Sequence, residues 1–445
     1  IGGASHRAEA MTAALAAAMV TVLAATGGVA TAAPSAPSTL SAPSTLSAPD
    51  GEARGVTSRV SVSSAGEQGD QDSGGPTLSA DGRFVVFNSA ASNLVPDAFG
   101  GTYLRDRRTG TTTLIYQASI GQTSITPGGR YVVLPGQFGF VVRDLWTGAE
   151  TDEPAGNFGF PDFDRVGYPQ LSADGRLLVF SSTAADLVPN DTNNASDVFL
   201  RDRLTGTTTR VSVSSTGAQG NDLSWSSSMT ADGRYVAFTS NASNLVPGDT
   251  NDSEADPYDG GDAFVHDVRT GRTTLVSVST AGVQPDGLGP LYPVASANGR
   301  FVAFECWTSR LIAGDVTREN HVYVRDRWAG TTERVSVSST GAPGDSRSSQ
   351  PQISADGRYV SYHSEASNLV RGDTNAEGDV FIRDRLAATT TRVSVTGGCG
   401  QANGGSIFVS MTADGRSVAF QSAASNLVPR DTNGVSDVFV RDLRD

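Results

Sequence analysis

From residue 56 onward, apolar and polar positions alternate with a period of two, in short runs broken by Gly, Asp and Asn. Runs such as RYVAFTS (234–240) and DVFVRD (437–442) intersperse Val, Phe and Tyr with Ser, Thr and Arg. That pattern predicts half-buried β-strands. No part of this region sustains a helical period, so the expected fold is all-β.

The runs recur as a repeat. An anchor phrase appears as SADGRFVVF (79–87), SADGRLLVF (172–180), TADGRYVAF (230–238), SANGRFVAF (296–304), SADGRYVSY (354–362) and TADGRSVAF (412–420), with a worn copy, TPGGRYVVL, at 126–134. A second phrase follows each: YLRD (103–106), VVRD (141–144), FLRD (199–202), FVHD (264–267), YVRD (323–326), FIRD (381–384) and FVRD (439–442). A third, RVSVS-like, is clear at 210–214, 275–279, 334–338 and 391–395, and is read as a fourth strand. TTTLIYQ (111–117) and the poor TGAETDEP (147–154) stand in its place in the first two units. Seven copies of four short strands predict a seven-bladed β-propeller over 56–445.

The last copy ends without a fourth strand, whereas TSRVSVSSAG (57–66) precedes the first Asp-Gly turn. The expectation is that segment 56–66 completes blade 7 as its outer strand. Pairing the chain's two ends would also cover exposed strand edges.

The residues before the repeat differ. MTAALAAAMVTVLAATGGVATAA (11–33) follows His6 and Arg7 and offers an A-x-A site at 30–32, so 1–33 reads as an export signal. An uncleaved anchor is the other reading of this weakly apolar stretch. The Pro/Ser/Ala tract 34–55 reads as an extended linker. The expected location is therefore secreted or envelope-associated, with no further apolar run long enough to span a bilayer.

The phrase P-x-x-S-x-D-G-R-x-x-A-F followed by D-x-F-V-R-D resembles the PD40, or TolB-like (WD40-related), propeller repeat over roughly 56–445. The resemblance implies the propeller but no activity, since one scaffold hosts many tasks. TolB proteins place an α/β domain before six blades; here a linker precedes seven repeats, so the TolB role is not carried over. No hydrolase domain of the prolyl-oligopeptidase kind accompanies the repeats.

Charge narrows the partners. The net charge of −14 disfavours nucleic acid and anionic lipid. Every one of the 33 basic residues is an arginine, which excludes Schiff-base lysines, Ser-Lys dyads and a Walker P-loop. Antiparallel alternation puts the long second-to-third loops and the blade-to-blade crossovers on one face. That face should be acidic, through the loops and through Asp70, Asp72, Asp222, Asp286 and Asp345 on crossovers.

Four loops share Asp-Thr-Asn followed by a closing Asp: Asp191/Asn193/Asp197, Asp373/Asn375/Asp379, Asp431/Asn433/Asp437, and in blade 4 Asp249/Asn251 with an acidic insert, including Asp256 and Asp259, that ends at Asp262. Two readings stay open. The oxygens could wrap calcium, although the fifth position holds Ala195, Glu377 or Val435 rather than a ligand. Alternatively, the motif is an Asx-type turn pinning the loop to the next strand. Blade 4 is the best calcium candidate. Blade 5 carries His321 at the closing position and should not bind.

Catalytic signals are sparse. G-x-S-x-G is absent. Cys306 reads as a core thiol, and the repeat does not make it a neighbour of Cys399. His321 and His363 could face each other on adjacent blades as a metal pair, or be incidental. The Asp-Gly turns also resemble the sialidase Asp box, without its Trp. The arginines that follow Asp-Gly are expected to pair with the R-D aspartates, and Trp146, Trp225, Trp307 and Trp328 to pack between blades. The expectation is a monomeric, non-catalytic binding or scaffold propeller with a protein or glycan ligand. The alternative is a secreted carbohydrate-active enzyme.

Overall fold

The computed structural model describes residues 54–443, apart from 118–122, 137–138, 157–165, 252–260, 287–288 and 318. The signal and linker readings, Asp256 and Asp259 lie outside these residues. Among the described residues there are 28 strands and no helix.

The strands form seven four-stranded antiparallel sheets, one per repeat. β1 (Gly55–Arg59) precedes blade 1, which is β2 (Ser73–Leu78), β3 (Phe84–Ser89), β4 (Gly101–Asp106) and β5 (Thr111–Tyr116). Blade 2 is β6 (Ser124–Ile125), β7 (Tyr131–Gly136), β8 (Gly139–Asp144) and β9 (Glu150–Pro154), so the worn copy is a full blade with a short inner strand. Blade 3 is β10 (Val166–Leu171), β11 (Leu177–Ser182), β12 (Asp197–Asp202) and β13 (Thr207–Arg210). Blade 4 is β14 (Ser224–Met229), β15 (Tyr235–Ser240), β16 (Asp262–Asp267) and β17 (Arg272–Leu275). Blade 5 is β18 (Leu291–Ala295), β19 (Phe301–Trp307), β20 (Asn320–Asp326) and β21 (Thr331–Arg334). Blade 6 is β22 (Ser348–Ile353), β23 (Tyr359–Ser364), β24 (Asp379–Asp384) and β25 (Thr389–Arg392).

Blade 7 is β26 (Ser406–Met411), β27 (Ser417–Ser422) and β28 (Asp437–Leu443), completed by β1. The predicted clasp is present, with Gly55 opposite Leu443 and Arg59 opposite Phe439. The first strands of successive blades touch around the ring, from β2 through β6, β10, β14, β18, β22 and β26 back to β2.

The anchor phrase has a packing reason. The Gly of each Asp-Gly-Arg turn has positive φ, such as 66° at Gly299 and 73° at Gly175, where a Cβ is disfavoured. It also abuts the residue after the Arg in the preceding blade. A Cβ on Gly299 would lie 2.4 Å from Tyr235, one on Gly175 2.4 Å from Tyr131, and one on Gly357 2.2 Å from Phe301. The phrase is thus an interlock between blades. At the closing seam the aromatic is replaced by Ser417, and Gly82 meets Thr412 at 3.0 Å. Turn-to-turn backbone bonds run alongside, including Ala355 N–H to Ala413 O at 2.7 Å and Ala413 N–H to Ala80 O at 3.2 Å.

Within blades, the Val-Ala-Phe runs are fully buried and the second- and third-strand aromatics pair. Phe238 and Phe264 have centroids 5.7 Å apart, and Phe420 and Phe439 5.9 Å. Such pairs contribute beyond their buried area.

One strand assignment needs correction. The RVSVS segments are not fourth strands; those strands end at their first residue, as at Arg210 and Leu275. After Arg210, Val211 and Ser212 both turn their N–H groups to Val198 O, at 2.8 and 3.4 Å. The Ser212 hydroxyl then accepts the Val198 N–H at 3.1 Å. The alternation there records buried valines and capping serines, which mimics a strand's period.

Candidate functional site

The Asp-Thr-Asn loops and the crossovers meet on one face, as antiparallel alternation requires. A crossover glutamine clamps each loop. Gln219 Nε2 donates to Asp191 at 2.9 Å, Gln284 Nε2 to Asp249 at 2.9 Å and Gln401 Nε2 to Asp373 at 2.8 Å. In blade 7, Gln68 donates to the Thr432 hydroxyl at 2.7 Å. The motif asparagines tie the same seam, with Asn193, Asn375 and Asn433 Nδ2 reaching Gly220 O, Ala402 O and Gly69 O at 3.0, 3.0 and 2.9 Å. Asn193 Oδ1 also accepts the Ala195 N–H at 3.1 Å, an Asx-type turn.

The closing aspartates begin the third strands and are fully buried: Asp197, Asp379 and Asp437 are at 0 % exposure. Each accepts a serine from the V-S-V-S segment, Ser212, Ser394 and Ser61, at 2.5 Å in all three cases. Burial pushes Asp197 above the usual carboxylate range and Asp379 to about 6, against the lowering effect of those hydroxyls and of arginine.

That arginine is the feature sequence reading missed. It is the last residue of the fourth strand, directly opposite the third-strand aromatic. Arg210 lies 3.0 Å from both Asp191 and Asp197. Arg392 Nη1 lies 3.3 Å from Asp373 and 3.1 Å from Asp379. Arg59, on the clasp strand, lies 3.1 Å from Asp431 and 2.8 Å from Asp437. In each loop a guanidinium joins both carboxylates. The available signal was the Arg of R-V-S-V-S, which becomes Leu275 in blade 4. In blade 5, Arg334 pairs with Asp315. His321 fills the closing position there, 3.2 Å from the Thr317 and Ser336 hydroxyls.

Around these turns the face carries exposed carboxylates: Glu67, Asp70, Asp72, Asp222, Asp286 and Asp345 on crossovers, and Asp97, Asp186, Glu365 and Glu377 on loops. Of the exposed arginines on this face, Arg310 pairs with Asp286 and Arg347 with Glu365. A concavity lined by Glu67, Gln68, Gly69, Asp70, Asn93 and Asn433 lies at the seam of blades 7 and 1.

The histidines do not stand as a pair. His321 is fully buried, and His363 is buried against Ser349 Oγ at 3.2 Å, each bonded within its own blade. Burial lowers both to about 4, so both are neutral at pH 7. Among the described residues no group of three His, Cys, Asp or Glu side chains converges on one point. Cys306 is buried and Cys399 half-buried. Glu305, pushed up to about 7 by burial, accepts the Gln350 N–H at 2.6 Å and Asn320 at 3.1 Å. It therefore caps a bulge of the next blade, whose register shifts between Ser349 and Gln352.

On the opposite, short-turn face, the arginines after Asp-Gly do pair with the R-D aspartates. Examples are Arg83–Asp106 and Arg300–Asp326 at 2.6 Å and Arg234–Asp267 at 2.9 Å. The tryptophans are not all blade packing. Trp146 and Trp328 are 70 % and 66 % exposed, on third-to-fourth turns, where each covers a guanidinium, Arg130 at 5.0 Å and Arg300 at 5.3 Å. Leu204 and Leu386 occupy the same turn position and are also exposed.

No family model and no curated protein matches the chain. Solved structures do. Oligogalacturonate lyase from Vibrio parahaemolyticus is 12 % identical with a TM-score of 0.51, over 89 % of this chain and 99 % of that one. An oligogalacturonate lyase in complex with manganese is 14 % identical with a TM-score of 0.52 over the same shares. TolB from Acinetobacter baumannii is 16 % identical, at a TM-score of 0.40, over 72 % of this chain and 62 % of that one. These likenesses are of fold alone: the chain is a seven-bladed β-propeller.

Proposed function

We propose that the chain is an exported, monomeric, non-catalytic binding or scaffold propeller whose working surface is the acidic loop face. The observation that carries this reading is the exposed carboxylates on the crossovers and loops of that face, over turns whose charges are internally paired in blades 3, 6 and 7. Such a surface attracts a cationic partner, a basic protein segment before a neutral glycan, and speeds its encounter. The carbohydrate-active alternative draws on the lyase neighbours. An oligogalacturonate is itself anionic and would be repelled by this face, and Glu305, His321 and His363 are spent on buried structural bonds.

The test is affinity capture from the producing cells' envelope and extracellular fractions. The bait is the full chain, compared with a variant carrying Asp70→Asn, Asp222→Asn, Asp286→Asn and Asp345→Asn. The reading expects partners that are retained at low salt and lost in the variant. Equal capture by both proteins, or release of sugars from acidic or neutral polysaccharides by the purified chain, would overturn it.

A further inference from the structure

The register of the blades sets up a comparison that the molecule makes within itself. In six of the seven blades one fourth-strand position faces the third-strand aromatic; in blade 2 Asp152 faces Val141 there. The position is Arg59 opposite Phe439, Arg210 opposite Phe199, Arg334 opposite Tyr323 and Arg392 opposite Phe381. In two blades it is leucine: Leu114 opposite Tyr103 and Leu275 opposite Phe264. Blade 1, with Leu114, has Gly101 where the closing aspartate would begin the third strand, so cation and anion are lost together. Blade 4 has lost the arginine and kept both carboxylates, Asp249 and Asp262.

The blade 4 pair is buried like its counterparts. Asp262 is 1 % exposed. Its Oδ1 accepts the Ser277 hydroxyl, while its Oδ2 has no hydrogen-bond partner among the described residues. Asp249 and Asn251 lie beside it. Asp249 accepts the Gln284 amide at 2.9 Å and meets no arginine or lysine among the described residues, and Asn251 Oδ1 is buried with no partner among the described residues. Buried charges without a compensating cation are costly, by several kcal/mol per ion. Burial accordingly raises both aspartates above the ordinary range, and the neighbouring Asp249 charge adds to the rise at Asp262.

We propose that blade 4 binds an externally supplied divalent cation, calcium by its ligand chemistry, where blades 3, 6 and 7 use a built-in arginine. The donors are two carboxylates and an amide oxygen, all hard oxygens with no soft or imidazole ligand, which suits calcium. Two carboxylates and one divalent ion are neutral together, and water completes the coordination shell. The leucine matters as much as the aspartates, because it vacates the place of a guanidinium. This site is independent of what the acidic face binds.

The test uses the full chain, stripped with chelator and titrated with calcium chloride by calorimetry and by thermal shift. Wild type should show one-site heat and a calcium-dependent rise in Tm. Leu275→Arg supplies the internal cation: its metal-free Tm should exceed that of wild type, and its calcium affinity should fall at least tenfold. Asp249→Asn should lose the heat while remaining folded, which covers the case of a poorly folding arginine variant. A wild type with neither heat nor shift would overturn the proposal, leaving the pair to share a proton. Calcium binding that survives Leu275→Arg or Asp249→Asn would place the ion elsewhere and overturn it equally.

Discussion

Arg392 is 1 % exposed and stands between Asp373 and Asp379, which are themselves buried. Removing it leaves two carboxylates without a cation, so Arg392→Ala should cost about 3–5 kcal/mol in urea unfolding. A loss under ~1 kcal/mol would mean that solvent already screens the pair. The short-turn face behaves differently. Hydrogen bonds from Arg83, Arg130, Arg176, Arg234 and Arg300 hold Asp106, Asp144, Asp202, Asp267 and Asp326 at about 2. These folded values lie below the unfolded one, so their stabilisation is complete above about pH 4 and disappears as pH falls toward 2. These pairs therefore predict a urea midpoint that drops as pH falls from 4 toward 2; a midpoint that holds or rises across that window would contradict this. The sequence made the aspartates legible, because Asp-Thr-Asn and the closing Asp recur at fixed spacing. It hid the arginine, which sits 13 residues beyond Asp379 and faces it only once β24 and β25 pair in register. Trp146 and Trp328 misled for a related reason: a large apolar residue in a turn can shield a guanidinium as well as fill a core.

Elements were easier to read than residues. Short runs of β-branched and aromatic residues bounded by Gly or Asp located second and third strands, whose centres are buried on both faces. The fourth strands were misplaced, because V-S-V-S keeps a strand's period while leaving the ladder. The interlocking turn predicts graded effects. Gly299→Ala adds a Cβ 2.4 Å from Tyr235 at a φ of 66° and should cost at least ~2 kcal/mol. Gly82→Ala, where Thr412 is 3.0 Å away and no aromatic intervenes, should cost less. Equal losses in denaturant melts would remove the aromatic from the explanation. The clasp gives a larger prediction. Deleting 54–59 strips β28 of its partner and takes Arg59 from Asp431 and Asp437. A fall in Tm of about 10 °C or more is expected, in line with the several kcal/mol that a buried pair and a strand carry. An unchanged Tm would show that the ring closes without it.

At the scale of the whole molecule, seven blades turn one repeated phrase into two unlike faces. The short-turn face neutralises its charges pair by pair and leaves Trp146, Leu204, Trp328 and Leu386 exposed. The loop face pairs the charges of its blade 3, 6 and 7 turns inside and carries carboxylates outside, on a chain of net charge −14. The seven-fold architecture was legible because duplication preserved the anchor phrase; the function of the faces was not, since duplication preserves turns and ligands alike. The account's central claim is that three Asp-Thr-Asn loops carry their own cation and the fourth does not. Native mass spectrometry of the chelated full chain titrated with calcium counts this directly. One bound ion per chain is predicted, and none in Leu275→Arg. Four ions would mean that the arginines do not close their loops, and zero would mean that blade 4 needs no metal.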